Sequence, residues 1–169
     1  MKHEIVREEM LVDRVNLLVT EWMRAKLGAQ EYIDAMPEDG IAFKPTPEIR
    51  SFAEHYLHVA GTNYAFASVA SGRDNPYDMM KGQDPEQMEE LKQDKVALLE
   101  FVMGSYDFMI DAVKELSDVA LDKDVEFFKM KMRRDLLLAK AMEHHAHHRG
   151  QTTIYLRLKG ITPPSERLF

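Results

Sequence analysis

From about Asp13 to Ala35 the apolar residues Val15, Leu18, Trp22, Ala25, Ala29 and Ile33 recur at steps of three and four. That is the period of an amphipathic helix with one buried face. Met36-Pro37-Glu38-Asp39-Gly40 ends it, and Pro45 and Pro47 keep the stretch to Arg50 as a connecting loop. Ser51 predicts the N-cap of a second helix running to about Ala70, with Glu54 three residues on completing a capping-box pattern. Gly72, Pro76, Gly82 and Pro85 mark a second loop. A third helix is predicted from Pro85, a favourable first-turn residue, through Leu91, Val96, Leu99, Phe101, Val102 and Phe108 to about Leu116. Asp118 to Lys129 is short and mixed, with an extended piece around Val125, Phe127 and Phe128. A fourth helix runs from about Met132 through Leu137 and Ala141 to Tyr155, with Gly160 as its stop and Pro163-Pro164 beyond. A further short helix is expected before Asp13. Four long helices and two substantial connections predict an all-α fold, an up-down-type four-helix bundle with long connecting loops. Residues 1–169 are expected to form one domain.

Composition narrows the chemistry. Hydrophobic residues at 45% and charged residues at 30% describe a globular chain rather than a disordered one. No apolar run approaches the roughly 20 residues a membrane helix needs, so no membrane association is expected. The charged N-terminus, Met1 to Met10, lacks the apolar block of a secretory signal, and a cytoplasmic location is expected. With no cysteine, disulfides, thiolate metal ligands and a cysteine nucleophile are excluded, so any metal must be held by nitrogen and oxygen. A net charge of -7 argues against binding nucleic acid, and Lys131, Arg133 and Arg134 read as a solvated helix start. No serine stands in a nucleophile-elbow context, and there is no glycine-rich phosphate loop.

Histidine is the residue out of proportion. Four of the seven histidines fall in Glu143-His144-His145-Ala146-His147-His148-Arg149-Gly150-Gln151. On a helix His144 and His148, at i and i+4, share one face, as two ligands of one ion must. They continue the seam Leu137, Ala141, His144, His148, Gln151, Tyr155. His145 and His147 lie roughly 100° to either side, where they are expected to face solvent or support the ligands. Imidazoles on a buried seam need a polar partner or a metal, since each unsatisfied polar group costs about 1 to 3 kcal/mol.

A third ligand must come from another helix. His55 and His58 in the second helix are the candidates, and Val59, Ala60 and Gly61 after His58 favour it by allowing close packing. Three imidazoles from two helices leave positions for water or substrate. Zinc is the first choice for such ligands, with nickel or iron as other divalent metals. Glu54, one turn before His58, is the nearest predicted carboxylate, able to orient an imidazole, act as a base or serve only its cap.

The segment His144-x3-His148-Arg149-Gly150-Gln151, with Tyr155-Leu156-Arg157, Gly160 and Pro163-Pro164, resembles the C-terminal signature of the DinB/YfiT-like family. Lys44-Pro45 and Arg50-Ser51-Phe52 extend the resemblance to about Val15–Pro164, with His58 at the family's helix-two histidine. The resemblance implies a dimeric four-helix bundle holding a divalent metal on His58, His144 and His148. It also implies a thiol S-transferase or isomerase using a low-molecular-weight thiol. The leading expectation is therefore a metal-dependent enzyme of the thiol S-transferase type acting on a small electrophile, a homodimer by resemblance alone. Two alternatives stay open: a non-catalytic, metal-stabilised stress or interaction protein, and a metal-dependent hydrolase. His145 and His147 exceed the motif and raise a second ion or a modified pocket. Gly150 inside a helix costs about 1 kcal/mol relative to alanine and predicts close approach by another helix or a partner subunit. Arg149 is expected to be an ion-pair or surface anchor.

Overall fold

Asp13 opens the first helix by accepting the backbone N–H of Asn16 at 2.9 Å, and α1 runs Arg14–Ala35 as the periodicity predicts. The computed structural model describes residues 13–168, so the short helix expected before Asp13 lies outside the described residues. The second helix, α2, spans Phe52–Ser71 and carries the predicted capping box. Ser51 Oγ accepts the Glu54 N–H at 3.1 Å, and Glu54 Oε2 accepts the Ser51 N–H at 2.7 Å. Gly72, in the left-handed region at φ +80°, closes its far end.

The third helix begins ten residues later than expected. Residues Pro85–Gln87 and Glu89–Lys92 form one-turn 3-10 segments, and α3 spans Lys95–Lys114 behind an Asp94 cap that accepts from both Val96 and Ala97. Between Pro85 and Lys92 only Pro85 and Leu91 are buried, so no apolar stripe seats a helix there. Downstream, a single turn α4 (Asp118–Leu121) leads into an antiparallel hairpin of β1 (Asp124–Phe127) and β2 (Met130–Arg133), with Val125 opposite Met132. The expected extended piece is thus β1, while Phe128 and Lys129 form the turn, both at positive φ. Met132 belongs to β2, so the last helix, α5, starts at Arg134 and ends at Leu158, with Gly160 in the left-handed region behind it.

In the bundle α1 packs on α3 and α5, and α2 packs on α3 and α5. The helices α1 and α2 therefore stand at diagonal corners, as do α3 and α5, and the α2–α3 connection runs back along α2, with Pro85 against Gly61 and Lys92 beside Glu54. Trp22, Ile33, Phe52, Tyr56, Leu57, Leu98, Tyr106, Met109 and Leu137 are wholly buried between them. Each such side chain contributes roughly 1.5 to 3 kcal/mol relative to exposure. Among the described residues no helix is long and apolar enough to cross a membrane. The arrangement makes α2 and α5 neighbours, which brings the two histidine-bearing segments face to face.

Candidate metal centre

His58 on α2 meets His144 and His148 on α5, with one ring nitrogen from each within 4.8 Å of the others. Ring centroids lie 5.1 Å apart for His58 and His144, 4.7 Å for His58 and His148, and 4.6 Å for His144 and His148. These are the three histidines that spacing and resemblance bring forward. Among the described residues no other group of three histidines or carboxylates has metal-ligand spacing.

The outer nitrogens of two rings are occupied. His58 Nδ1 donates to Glu86 Oε1 at 2.7 Å, which leaves its Nε2 with a lone pair. His148 Nδ1 lies 3.0 Å from His55 Nδ1, leaving its Nε2 as the free nitrogen. His144 Nε2 is buried with no hydrogen-bond partner, an unsatisfied ring nitrogen that a cation would complete. Burial also keeps the two α5 histidines neutral: desolvation lowers the pKa of His144 to about 4 and of His148 to about 3, reinforced by the neighbouring imidazoles. Neutral imidazole is the ligating form. The donor set therefore fits a divalent ion.

Glu86 is the residue sequence reasoning missed. Burial alone would raise its pKa, but hydrogen bonds from His58 and Arg50, with the Arg50 charge, outweigh that and hold it at about 2. Arg50 donates to it from Nε at 2.7 Å and from Nη2 at 3.2 Å. Pro85 delivers this carboxylate by packing against Gly61, where an added Cβ would stand 3.3 Å from the proline ring. The signal in the sequence was Asp84-Pro85, a capped turn rather than a helix start: Asp84 Oδ1 accepts the Glu86 N–H at 2.9 Å.

Glu54, the expected carboxylate neighbour of His58, is employed elsewhere. It closes its own capping box, pairs with Lys44 at 2.8 Å and lies 3.5 Å from Lys92. The capping box draws the Glu54 carboxylate back to the Ser51 N–H at the start of α2, away from the His58 ring.

The buried face of α5 is wider than the expected seam and shifted toward His145. Leu137, Ala141, His148 and Tyr155 are buried as expected, but Leu138, His145, Thr152 and Leu156 are buried with them, and His144 sits at the edge of the stripe. His145, expected to face solvent or support a ligand, is 2% exposed, and its Nδ1 shares a 2.5 Å hydrogen bond with Tyr106 OH. It belongs to the core beside Trp22 and is apart from the triad. His147 is exposed and lies against Gln151. Arg149 makes no ion pair among the described residues and lays its guanidinium over Gly28 of α1. Nothing lies within 4 Å of a Cβ added at Gly150, so within the described chain no helix approaches it closely.

Two surfaces frame the centre. On one side Phe127 of the hairpin stacks on Phe66, whose ring lies 6.3 Å from His144. On the other, a cleft of about 680 Å³ is lined by Arg50, His55, Glu86, Gln151, Ile154 and Tyr155.

Bundle and centre together define a helical protein with a three-histidine site between two neighbouring helices. The DinB family model matches residues 10–167, and the chain belongs to that family. It is 24% identical over 152 residues to an uncharacterised protein, YjoA, of Bacillus subtilis, covering 87% of this chain and 92% of that one. The fold matches the crystal structure of a DinB-like protein from Bacillus cereus with a TM-score of 0.72 and 17% identity, covering 89% of this chain and 95% of the other. It matches that of YjoA with a TM-score of 0.68 and 23% identity, covering 89% and 96%.

Proposed function

We propose that this protein is a divalent-metal-dependent enzyme of the thiol S-transferase type, joining a low-molecular-weight thiol to a small electrophile. The observation that carries the reading is the convergence of His58, His144 and His148, with the buried His144 Nε2 left without a partner. These three residues would hold the ion, zinc being favoured by an all-imidazole donor set, with nickel or iron as alternatives. Such an ion supplies Lewis-acid chemistry, lowering the pKa of a thiol or water that reaches it.

Glu86 and Arg50 hold His58 in place, and His55 borders His148 on the cleft side. The cleft is of a size that binds small molecules. The nearby carboxylates favour a thiol over water as the nucleophile. Glu86 is engaged by His58 and Arg50, and Glu54 by Ser51 and Lys44, so neither is free to act as a general base. A thiol of ordinary pKa near 8.5 needs far less help to ionise than water does.

The test is metal analysis of the purified protein and of His58→Ala, His144→Ala and His148→Ala, followed by a screen of electrophiles against several cellular thiols. Stoichiometric metal lost in each variant, with metal-dependent conjugation in the parent, is the expected outcome. Undiminished specific metal binding in all three variants refutes the site. Metal binding without any turnover of thiols refutes the reaction and favours a metal-stabilised, non-catalytic bundle.

A further inference from the structure

His55 stands outside the triad, yet it is 4% exposed and makes two hydrogen bonds in series. Its Nδ1 meets His148 Nδ1 at 3.0 Å, and its Nε2 meets Tyr155 OH at 3.0 Å. Tyr155 OH in turn reaches the backbone carbonyl of Arg50 at 2.6 Å.

These contacts determine where each hydrogen sits. A carbonyl oxygen only accepts, so at 2.6 Å the single hydroxyl hydrogen of Tyr155 must point to Arg50. The hydroxyl is then an acceptor toward His55, and Nε2 of His55 carries the hydrogen. Neutral His55 consequently presents a bare Nδ1 to its neighbour. The 3.0 Å contact between the two Nδ1 atoms needs one hydrogen, which His148 supplies. His148 Nε2 is left as a lone pair facing His58 and His144. Reversing any one bond in this series would put a hydrogen on His148 Nε2 and close that position to a cation.

We infer that His55 is a positioning residue: with Tyr155 and the Arg50 carbonyl it selects the tautomer in which His148 can ligate a divalent cation. The chain thus sets two of the three triad histidines from outside, by two unlike devices. A carboxylate fixes His58 and an imidazole–phenol relay fixes His148. The relay adds no formal charge, in contrast to the Glu86 and Arg50 pair. It also borders the cleft, through both His55 and Tyr155. The inference rests on the proposed metal-binding role of the triad, and the experiment separates the two.

Long-range proton–nitrogen NMR on the metal-free protein reports the tautomer of His148 directly. The expected spectrum has hydrogen on Nδ1 in the parent and a mixed population in Tyr155→Phe, with unchanged helical circular dichroism. Zinc affinity, measured by competition with a chromophoric chelator, is expected to fall roughly 10- to 100-fold in His55→Phe. It should recover to within about threefold of the parent in His55→Asn, whose side-chain oxygen can stand where Nδ1 accepts. Hydrogen on Nε2 of His148 in the parent, or parental zinc affinity in a folded His55→Phe, overturns the inference. Should His55→Phe fail to fold, the parental spectrum and Tyr155→Phe decide the matter. Undiminished zinc binding in His58→Ala, His144→Ala and His148→Ala alike would instead refute the metal reading itself.

Discussion

Replacing Glu86 by glutamine keeps the shape of the side chain and removes the charge that Arg50 and His58 share. The new amide can still accept from His58, but it turns an N–H₂ group toward a guanidinium that can only donate. The carboxylate is 17% exposed, so its lowered pKa translates into stability without a large discount for solvent. A fall from 4.5 to about 2 sets a ceiling of about 3 kcal/mol on the folding free energy lost at pH 7. A depressed carboxylate stabilises above its unfolded pKa and loses that contribution as the pH falls toward the folded value. Between pH 7 and pH 4 the parental advantage over Glu86→Gln should therefore narrow by roughly 0.8 kcal/mol. Urea unfolding of both proteins in chelator, at several pH values across that window, measures the gap. A gap below about 0.5 kcal/mol at pH 7, or one that does not narrow toward pH 4, would refute the assignment of Glu86 as a buried ion-pair partner.

The core histidine makes a contrasting case: His145→Phe should cost about 1 to 3 kcal/mol by stranding the Tyr106 hydroxyl while leaving metal stoichiometry unchanged, read by denaturation and elemental analysis. Burial also lowers the pKa of His145 to about 3, so its contribution is present above the unfolded value of 6.5 and is lost as pH falls. Between pH 8 and pH 5 this residue alone should cost about 2 kcal/mol in the metal-free protein, a loss absent from His145→Phe. Gly61→Ala gains helix propensity of about 1 kcal/mol but presses a methyl group onto Pro85. Thermal melting should change little while zinc affinity weakens, because the turn carrying Glu86 must move; unchanged affinity would show that the turn has slack.

Much of this architecture was legible from local pattern: steps of three and four marked α1, and the Ser51–Glu54 capping box marked the start of α2. The late start of α3 was not. Pro85 is equally at home opening an α-helix or a one-turn 3-10 segment, and what decides is whether apolar residues follow at helical spacing. The pairing of His144 and His148 was recoverable because i and i+4 on one helix is a local constraint, whereas His58 over His55 rested on the resemblance. The triad's supports were hidden, since Glu86, Arg50 and Tyr155 are joined only by tertiary packing. His145 misled for a related reason: adjacent histidines look alike in sequence, while a rotation of one residue places the first at the edge of the core and the second inside it.

The capping box of α2 has a kinetic consequence. His55 and His58 lie in the first two turns of their helix, the part most prone to fray, whereas His144 and His148 sit in the middle of α5. The hydrogen bonds between Ser51 and Glu54, with the lysines at 44 and 92 drawn to the same carboxylate, pin that end. Opening it would free one arm of the centre while the other stays rigid. On this geometry, local unfolding at the start of α2 would set the pace of metal exchange, well below the energy of global unfolding.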